Sequence, residues 1–186
     1  MTEEAPFEST ERALWFAFNY ARHGSPKTPL MSMNVDKDRP PIGSNKGLVG
    51  VDAAGQAGLI LKMVDQLNEE QRNFIIVKHG IDMRDYKSVS IRDFEEPPEI
   101  WKESIDYFSN SMVEFEGVPR RVRNLMIEKA IFGKKIDIEY ISRNNSLSKA
   151  TTYRQLSEVK KRFRKIEKIA LINLDNSFLS SHLLVA

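Results

Sequence analysis

The clearest periodic pattern in the chain is an apolar stripe whose members recur at intervals of three and four residues. The stripe consists of Thr152, Leu156, Val159, Phe163, Ile166 and Ala170. This spacing is typical of one face of an amphipathic α-helix. Ser148 precedes the stripe and suits an N-cap, because its side-chain oxygen can accept from a backbone N–H of the first turn. The pattern predicts a long helix that begins after Ser148.

A short apolar segment and a turn come before this helix. Ile136, Ile138 and Ile141 suit a short helix whose apolar side packs on the stripe. Residues 144–146, Asn-Asn-Ser, turn easily and tolerate left-handed backbone angles. Two helices joined by a short turn form a helix-turn-helix unit. Residues 136–170 are therefore predicted to place a second helix in the major groove of DNA.

The rest of the chain also carries helical patterns. Further helices are predicted over residues 8–22, 52–67, 69–79, 98–109 and 119–132. Ser9 or Thr10 can cap the first of these, and Gly80 ends the third. Most aromatic rings of the first helix are expected in the core. The glycines of residues 52–67 lie on one side, which predicts close helix packing there.

Breaks in these patterns divide the chain into segments. They are a helical body at 1–80 with a long loop at 23–50, an insertion or arm at 81–118, a helix-turn-helix region at 119–170 and a tail at 171–186. The loop holds four prolines and is either a functional contact or a connector. The insertion is expected to hold a small cluster of its own, and the tail either covers the core or is an exposed docking segment. The predicted fold class is all-α, with an inserted arm.

The net charge of +2 conceals an asymmetry between the two parts of the chain. Residues 1–118 carry 13 Lys and Arg against 20 Asp and Glu, a net charge of −7. Residues 119–186 carry 15 against 6, a net charge of +9. A net positive charge at the helix-turn-helix end alone is the pattern expected of phosphate binding at one end only.

Several classes of function lack their characteristic residues. The chain has no cysteine, and its three histidines show no metal-ligand spacing. No nucleophile motif, Gly-rich phosphate loop or metal triad is recognisable, and the acidic residues lack the ligand spacing of a carboxylate nuclease. We therefore expect no enzyme activity, cofactor or metal. Without a membrane-spanning run or signal peptide, we expect a cytoplasmic protein that does not contact a membrane.

Residues 147–156, Leu-Ser-Lys-Ala-Thr-Thr-Tyr-Arg-Gln-Leu, resemble the recognition-helix pattern of bacterial and phage helix-turn-helix regulators. That pattern is an aliphatic residue, Ser, two variable residues, Thr, an apolar residue, a variable residue and Arg. Ile141 and Ser142 fall where these regulators place an aliphatic and a small residue in the first helix. Two positions depart: Thr152 replaces an aliphatic core residue, and Gln155 stands where an apolar residue is usual.

The resemblance implies a set of DNA contacts. The residues expected to face base edges are Lys149, Ala150, Tyr153 and Arg154, and those expected to contact phosphate are Ser148 and Thr151. Arg154 could pair with O6 and N7 of a guanine. The predicted DNA-binding residues also include Arg120, Arg121, Arg123, Arg143, Lys160, Lys161 and Arg164. The alternative interpretation is an amphipathic helix with a solvated basic face.

Two further segments resemble phage regulators. Residues 67–80 resemble the opening helix of sigma-factor region 4 and of phage late-gene regulators. Residues 18–32, Phe-Asn-Tyr-Ala-Arg-His-Gly-Ser-Pro-Lys-Thr-Pro-Leu-Met-Ser, resemble the N-terminal His-Ser-Pro-Lys-Ser-Pro segment of lambdoid phage Q antitermination proteins. The order of segments is also similar. Because a cysteine zinc site occurs in the insertion within that family, either apolar packing replaces the metal here or the insertion is unrelated.

The resemblance to Q proteins implies a specific function. Such proteins bind a DNA element in the phage late promoter and engage host RNA polymerase near sigma-factor region 4 and the beta flap. They travel with the polymerase and prevent terminator hairpins, so nascent RNA is a further implied partner. The expected function is transcription antitermination in the bacterial host. The alternative is a promoter-binding activator or repressor without antitermination activity.

Overall fold

The computed structural model describes residues 5–23, 51–81, 98–133, 137–145 and 147–184. Its helices are α1 (Thr10–His23), α2 (Val51–Asp65), α3 (Glu69–His79), α4 (Glu99–Ser111), a 3₁₀ helix (Val113–Phe115), α5 (Arg120–Phe132), α6 (Ile138–Asn144) and α7 (Lys149–Ser180). The predicted all-α class is confirmed. Residues 24–50 of the predicted loop and 82–97 of the predicted arm lie outside the described residues, as do Ile136 and Ser146.

The chain packs as two compact units. The first combines residues 1–68 with 171–186, and the second is formed by residues 69–170. Because the long helix α7 crosses residue 170, it contributes to both units. The sequence-based segments follow the order of the chain, whereas the two units follow spatial contacts.

In the first unit, α1 packs on α2 and the end of the chain closes the core. Ser9 caps α1, since its Oγ accepts from the backbone N of Arg12 at 3.3 Å. The ring of Phe7 lies 5.2 Å from that of Phe16, between centroids, and the backbone N of Phe7 donates to Leu183 at 3.1 Å. Phe178 and Leu183 are buried. The residues after 170 therefore cover the core of this unit.

Two expectations about the first unit are wrong. Most rings of α1 were expected in the core, but of its four rings only Phe16 is buried, and Trp15 is 45% exposed. Gly55 and Gly58 do not support close packing, because a Cβ built at either would meet nothing within 4 Å. The reason is that α2 turns another stripe inward. The buried positions of this stripe are Ala53, Ala57, Ile60 and Val64.

The second unit is built around the ring of Phe163 in α7. Its centroid lies 5.7 Å from that of Phe74 in α3 and 5.0 Å from that of Phe108 in α4, the latter edge to face. Trp101 of α4 is buried and donates from Nε1 to the carbonyl of Val77 at 3.0 Å. The described part of the predicted insertion therefore shares its core with α3 and α7, and the expectation of a separate cluster is wrong.

A bridging arginine ties three elements of the second unit together. Arg162 of α7 donates to Glu70 of α3 at 2.6 Å and to Glu114 of the 3₁₀ helix at 3.1 Å. All three side chains are partly exposed, so solvent screening keeps the contribution of each pair modest. Their main effect is to fix how α7 lies against α3.

Glycine ends α3 for a steric reason. The backbone N of Gly80 donates to the carbonyl of Ile76 at 2.7 Å. A Cβ at this position would lie 2.4 Å from the oxygen of Ile76, closer than any side chain tolerates. The predicted end of this helix is confirmed. Gly133 closes α5 in the left-handed region, with φ of 67°.

His79 gives the second unit a measurable pH dependence. Burial, and secondarily Lys78, lowers the pKa of His79 from 6.5 to about 4. The unfolded chain therefore binds this proton before the folded chain does. The stability associated with neutral His79 is complete above pH 6.5 and is lost as the pH falls towards 4, by at most about 3 kcal/mol. Urea unfolding at pH 7 and pH 4.5 should show a larger loss for the wild type than for His79→Gln. The titration of carboxylates contributes equally to both proteins and cancels in the comparison. Equal losses of unfolding free energy in the two proteins would contradict a neutral buried imidazole at His79.

Candidate nucleic-acid interface

The predicted short helix, turn and long helix are present. Asp137 caps α6, since its Oδ1 accepts from the backbone N of Glu139 at 2.9 Å. Between α6 and α7, the backbone N of Leu147 donates to the carbonyl of Ser142 at 3.0 Å. Helix α7 begins at Lys149, directly after the residue predicted as its N-cap. The sequence thus builds a local helix-turn-helix.

The inner side of this unit is apolar. Every member of the predicted stripe on α7 is buried, from Thr152 to Ala170. Ile138 and Ile141 of α6 are also buried. Because one side of α7 is fixed against the protein, the side chains on its other side must face outward. The rotation of the helix is therefore determined by the stripe.

Two buried hydroxyls lie close together where α6 and α7 meet. Ser142 Oγ lies 2.7 Å from the carbonyl of Ile138, to which it donates, and 3.2 Å from Oγ1 of Thr152. Thr152 in turn donates to the carbonyl of Ser148 at 3.0 Å. These contacts satisfy both buried hydroxyls within the unit. They explain how threonine is accommodated at a position where the recognition-helix pattern described above has an aliphatic residue.

The second departure from the regulator pattern is less well accommodated. The side-chain oxygen of Gln155 is buried, and the described residues offer it no hydrogen-bond partner. Leaving a buried polar atom unsatisfied costs about 1–3 kcal/mol. Gln155 is thus a polar residue held in a position suited to an apolar one.

The residues expected to face base edges lie on the outward side of α7. Lys149, Ala150 and Arg154 are exposed, and Tyr153 is 50% exposed. Among the residues that the structure describes, the side chain of Arg154 has no hydrogen-bond or ion-pair partner. Of the two residues expected to contact phosphate, Ser148 is exposed and Thr151 is half-buried. This stretch, residues 148–154, is called the reading segment below.

An acidic side chain lies beside the reading segment. Glu139 of α6 accepts a hydrogen bond from Lys149 and pairs with Arg143 at 3.4 Å. Its hydrogen bond, and then its charge, raises the pKa of Lys149. Sequence analysis did not single out Glu139, although its i, i+4 spacing to Arg143 is a signal of pairing. A DNA phosphate would have to compete with this carboxylate for both cations.

The arginines at the start of α5 have different environments. Arg121 is exposed, whereas Arg120 pairs with Asp106 at 2.5 Å. Arg123 donates to the carbonyl of Val118 at 2.6 Å and to that of Ser109 at 2.8 Å. Its guanidinium holds the connection between α4 and α5, so these contacts do not support its prediction as a DNA-binding residue. They also show how a positive cluster is tolerated at a helix N-terminus.

The more distal basic residues of α7 also lie on its outer surface. Lys161 and Arg164 are exposed, and Lys160 is half-buried. Lys161 pairs with Glu158 at 2.8 Å. Lys160 and Arg164 make no ion pair with any residue in the described ranges. Unlike Arg123, these two cations are not held by a backbone or carboxylate partner from the described part of the chain.

Other types of site find no support within the described ranges. No group of three or more His, Asp or Glu side chains there could hold a metal ion. None of the described helices combines the length and apolarity needed to cross a membrane. Comparisons of the chain with protein-family models, with curated protein sequences and with solved structures give no match. The site is therefore interpreted from its own geometry.

Two substitutions of Thr152 test whether its hydroxyl group or its side-chain volume stabilises the packing of α6 on α7. Valine has the shape of threonine, and Ser142 would still donate to Ile138, so Thr152→Val should change the free energy of unfolding by less than about 1 kcal/mol. Thr152→Leu adds bulk at a position that is 0% exposed and should cost about 1–3 kcal/mol. Thermal unfolding of both variants makes the comparison. A larger loss for valine than for leucine would mean that the hydroxyl, and not the side-chain volume, holds the turn.

Proposed function

We propose that the chain binds duplex DNA through the reading segment at the start of α7. The observation that carries this proposal is the exposure of Lys149, Tyr153 and Arg154 on the outward side of a helix whose inner stripe is buried. A helix has the diameter to enter the major groove, where an arginine can pair with O6 and N7 of guanine. The arrangement has the exposed cations and the rigid support that such a contact requires.

We further propose that this binding serves transcription antitermination of the Q type. The support is the resemblance of residues 18–32 to the N-terminal segment of those proteins, together with the similar order of segments. The concentration of positive charge after residue 118 is compatible with one DNA-binding end and a separate surface for protein partners. In this proposal the partners are late-promoter DNA and host RNA polymerase, through its sigma factor and beta flap, with nascent RNA enclosed. The protein carries out no chemical step.

Arg154 should contribute to sequence choice. With a duplex selected by the wild-type protein from a randomised pool, Arg154→Ala should weaken binding by about 1–3 kcal/mol and relax the preference at one base pair. Lys165→Ala is the matched control, because it removes an exposed positive charge from the same helix outside the reading segment. Equal weakening on every duplex tested would mean that Arg154 contacts only phosphate.

Transcription through a terminator tests the proposed role. On a template with the phage late promoter and a distant terminator, adding the protein should increase readthrough, and the effect should persist far beyond the promoter. The Arg154→Ala variant should need a higher concentration for the same readthrough. If the protein changes initiation only, the antitermination proposal is wrong and the protein acts as a promoter-binding activator or repressor.

A further inference from the structure

A cationic cleft lies in the second unit, between α3, the C-terminal end of α5 and the middle of α7. Its volume is about 170 Å³, and its lining includes Phe74 and Phe163. Among the residues that the structure describes, four positively charged side chains and one carboxylate line it. They are Lys78, Lys129, Lys160, Arg164 and Glu167. The net charge of this lining is therefore +3, which favours an anionic ligand.

The carboxylate in this cleft is already occupied by a partner. Glu167 accepts a hydrogen bond from Lys78, and both side chains are about 70% covered by protein. Lys78 thereby reduces the repulsion that Glu167 would exert on an anion. Lys160 and Arg164 carry no such partner in the described ranges. An arginine can bind two phosphate oxygens through parallel N–H groups, and a neighbouring lysine can bind a phosphate oxygen through its ammonium group.

The distance of the cleft from the reading segment limits what it can contact. Lys160 and Arg164 follow Lys149 by 11 and 15 residues on one continuous helix, which corresponds to about 16–22 Å along its axis. The major groove is only about 12 Å wide and 8.5 Å deep. These two side chains therefore lie too far away to share the base pairs under the reading segment. The phosphate backbone, in contrast, extends along the whole duplex.

We propose that this cleft seats one phosphate of the DNA backbone beyond the base pairs met by the reading segment. Arg164 and Lys160 donate to the phosphate oxygens, Lys129 adds charge from α5, and Lys78 neutralises Glu167. This inference rests on the proposed DNA binding. It assigns Lys78 and Lys129 roles that the sequence pattern did not indicate, and it gives Lys160 and Arg164 one shared ligand.

The salt dependence of binding tests the cleft. On a 24-base-pair duplex of mixed sequence, the slope of log K against log salt should become shallower by about 0.9 in the Lys160→Ala/Arg164→Ala double variant, as expected for one lost phosphate. Affinity at 0.1 M salt should fall by about tenfold. The matched control is Lys165→Ala/Lys168→Ala, which removes two exposed charges from the same helix outside the cleft. An equal change in this control would overturn the proposal, because diffuse charge would explain both.

A gain of binding provides a second test that a folding defect cannot imitate. Glu167→Gln removes the carboxylate that the described residues contribute to the cleft and releases Lys78, so affinity for the same duplex should rise several-fold. Glu103→Gln removes an exposed carboxylate from α4 and should leave affinity unchanged. Unchanged affinity in Glu167→Gln, or an equal rise in both variants, would contradict the assignment.

Two outcomes separate this inference from the proposed function. If the wild type binds duplex DNA and Arg154→Ala weakens it, while the Lys160/Arg164 double variant matches the wild type, only the cleft assignment is wrong. If the wild type binds no duplex, the proposed function fails. Inorganic pyrophosphate, added to the ¹⁵N-labelled protein and followed by NMR, then shows whether the cleft binds a small free phosphate. That result would overturn the assignment to DNA.

Discussion

The apolar stripe of α7 is the constraint on which the rest of the structure depends. Its side chains from Thr152 to Ala170 are buried in the second unit, and Leu174 and Phe178 continue the stripe in the first. A helix whose buried side is fixed cannot rotate, so the direction of every other side chain on it is also fixed. The outward position of Tyr153 and Arg154 is thus a consequence of core packing. A single apolar contact has no preferred direction. Because the apolar residues of α7 recur with the helical period, however, their burial fixes which side of the helix faces outward.

The cations of the second unit serve two different purposes. Arg162 bridges two carboxylates, and Arg123 holds two backbone carbonyls, so both are parts of the scaffold. Arg154, Lys160 and Arg164 have no such partners in the described ranges and keep their charge available to an anion. Net charge alone does not separate these two groups. Their contacts do, because a guanidinium held by two fixed acceptors would have to break them to bind phosphate.

Periodicity predicted those parts of the fold that depend on local spacing. The limits of α3 are those expected from its sequence, and every residue of the α7 stripe is buried as predicted. What periodicity could not predict is which neighbour each face would meet. The aromatic rings of α1 and the glycines of α2 were expected to pack closely because of their residue types. The structure leaves Trp15 exposed and turns the alanine-rich side of α2 inward. The aromatic side chains of α4 join a core formed by residues more than 20 positions away along the chain, such as Val77.

In the candidate site, too, the sequence predicted features that lie within one helix but not contacts between different elements. The reading segment was recognisable because its residues lie within one stretch of helix. Arg123 was placed with the DNA-binding residues because sequence shows its charge but not the carbonyls that accept its hydrogen bonds. Glu139 was missed for the converse reason, since its contact with Lys149 crosses the turn between two helices.

The cationic cleft could not be predicted from the sequence either, because its walls come from three separate helices. A continuous helix that carries both the reading segment and this cleft keeps them at a constant separation. Two contacts linked by a rigid element cooperate, because the first holds the second at high effective concentration. If both are occupied by one duplex, α7 also sets the register between the base pairs that are read and the phosphate that is held. In that arrangement a nonspecific contact would contribute to the choice of position on DNA.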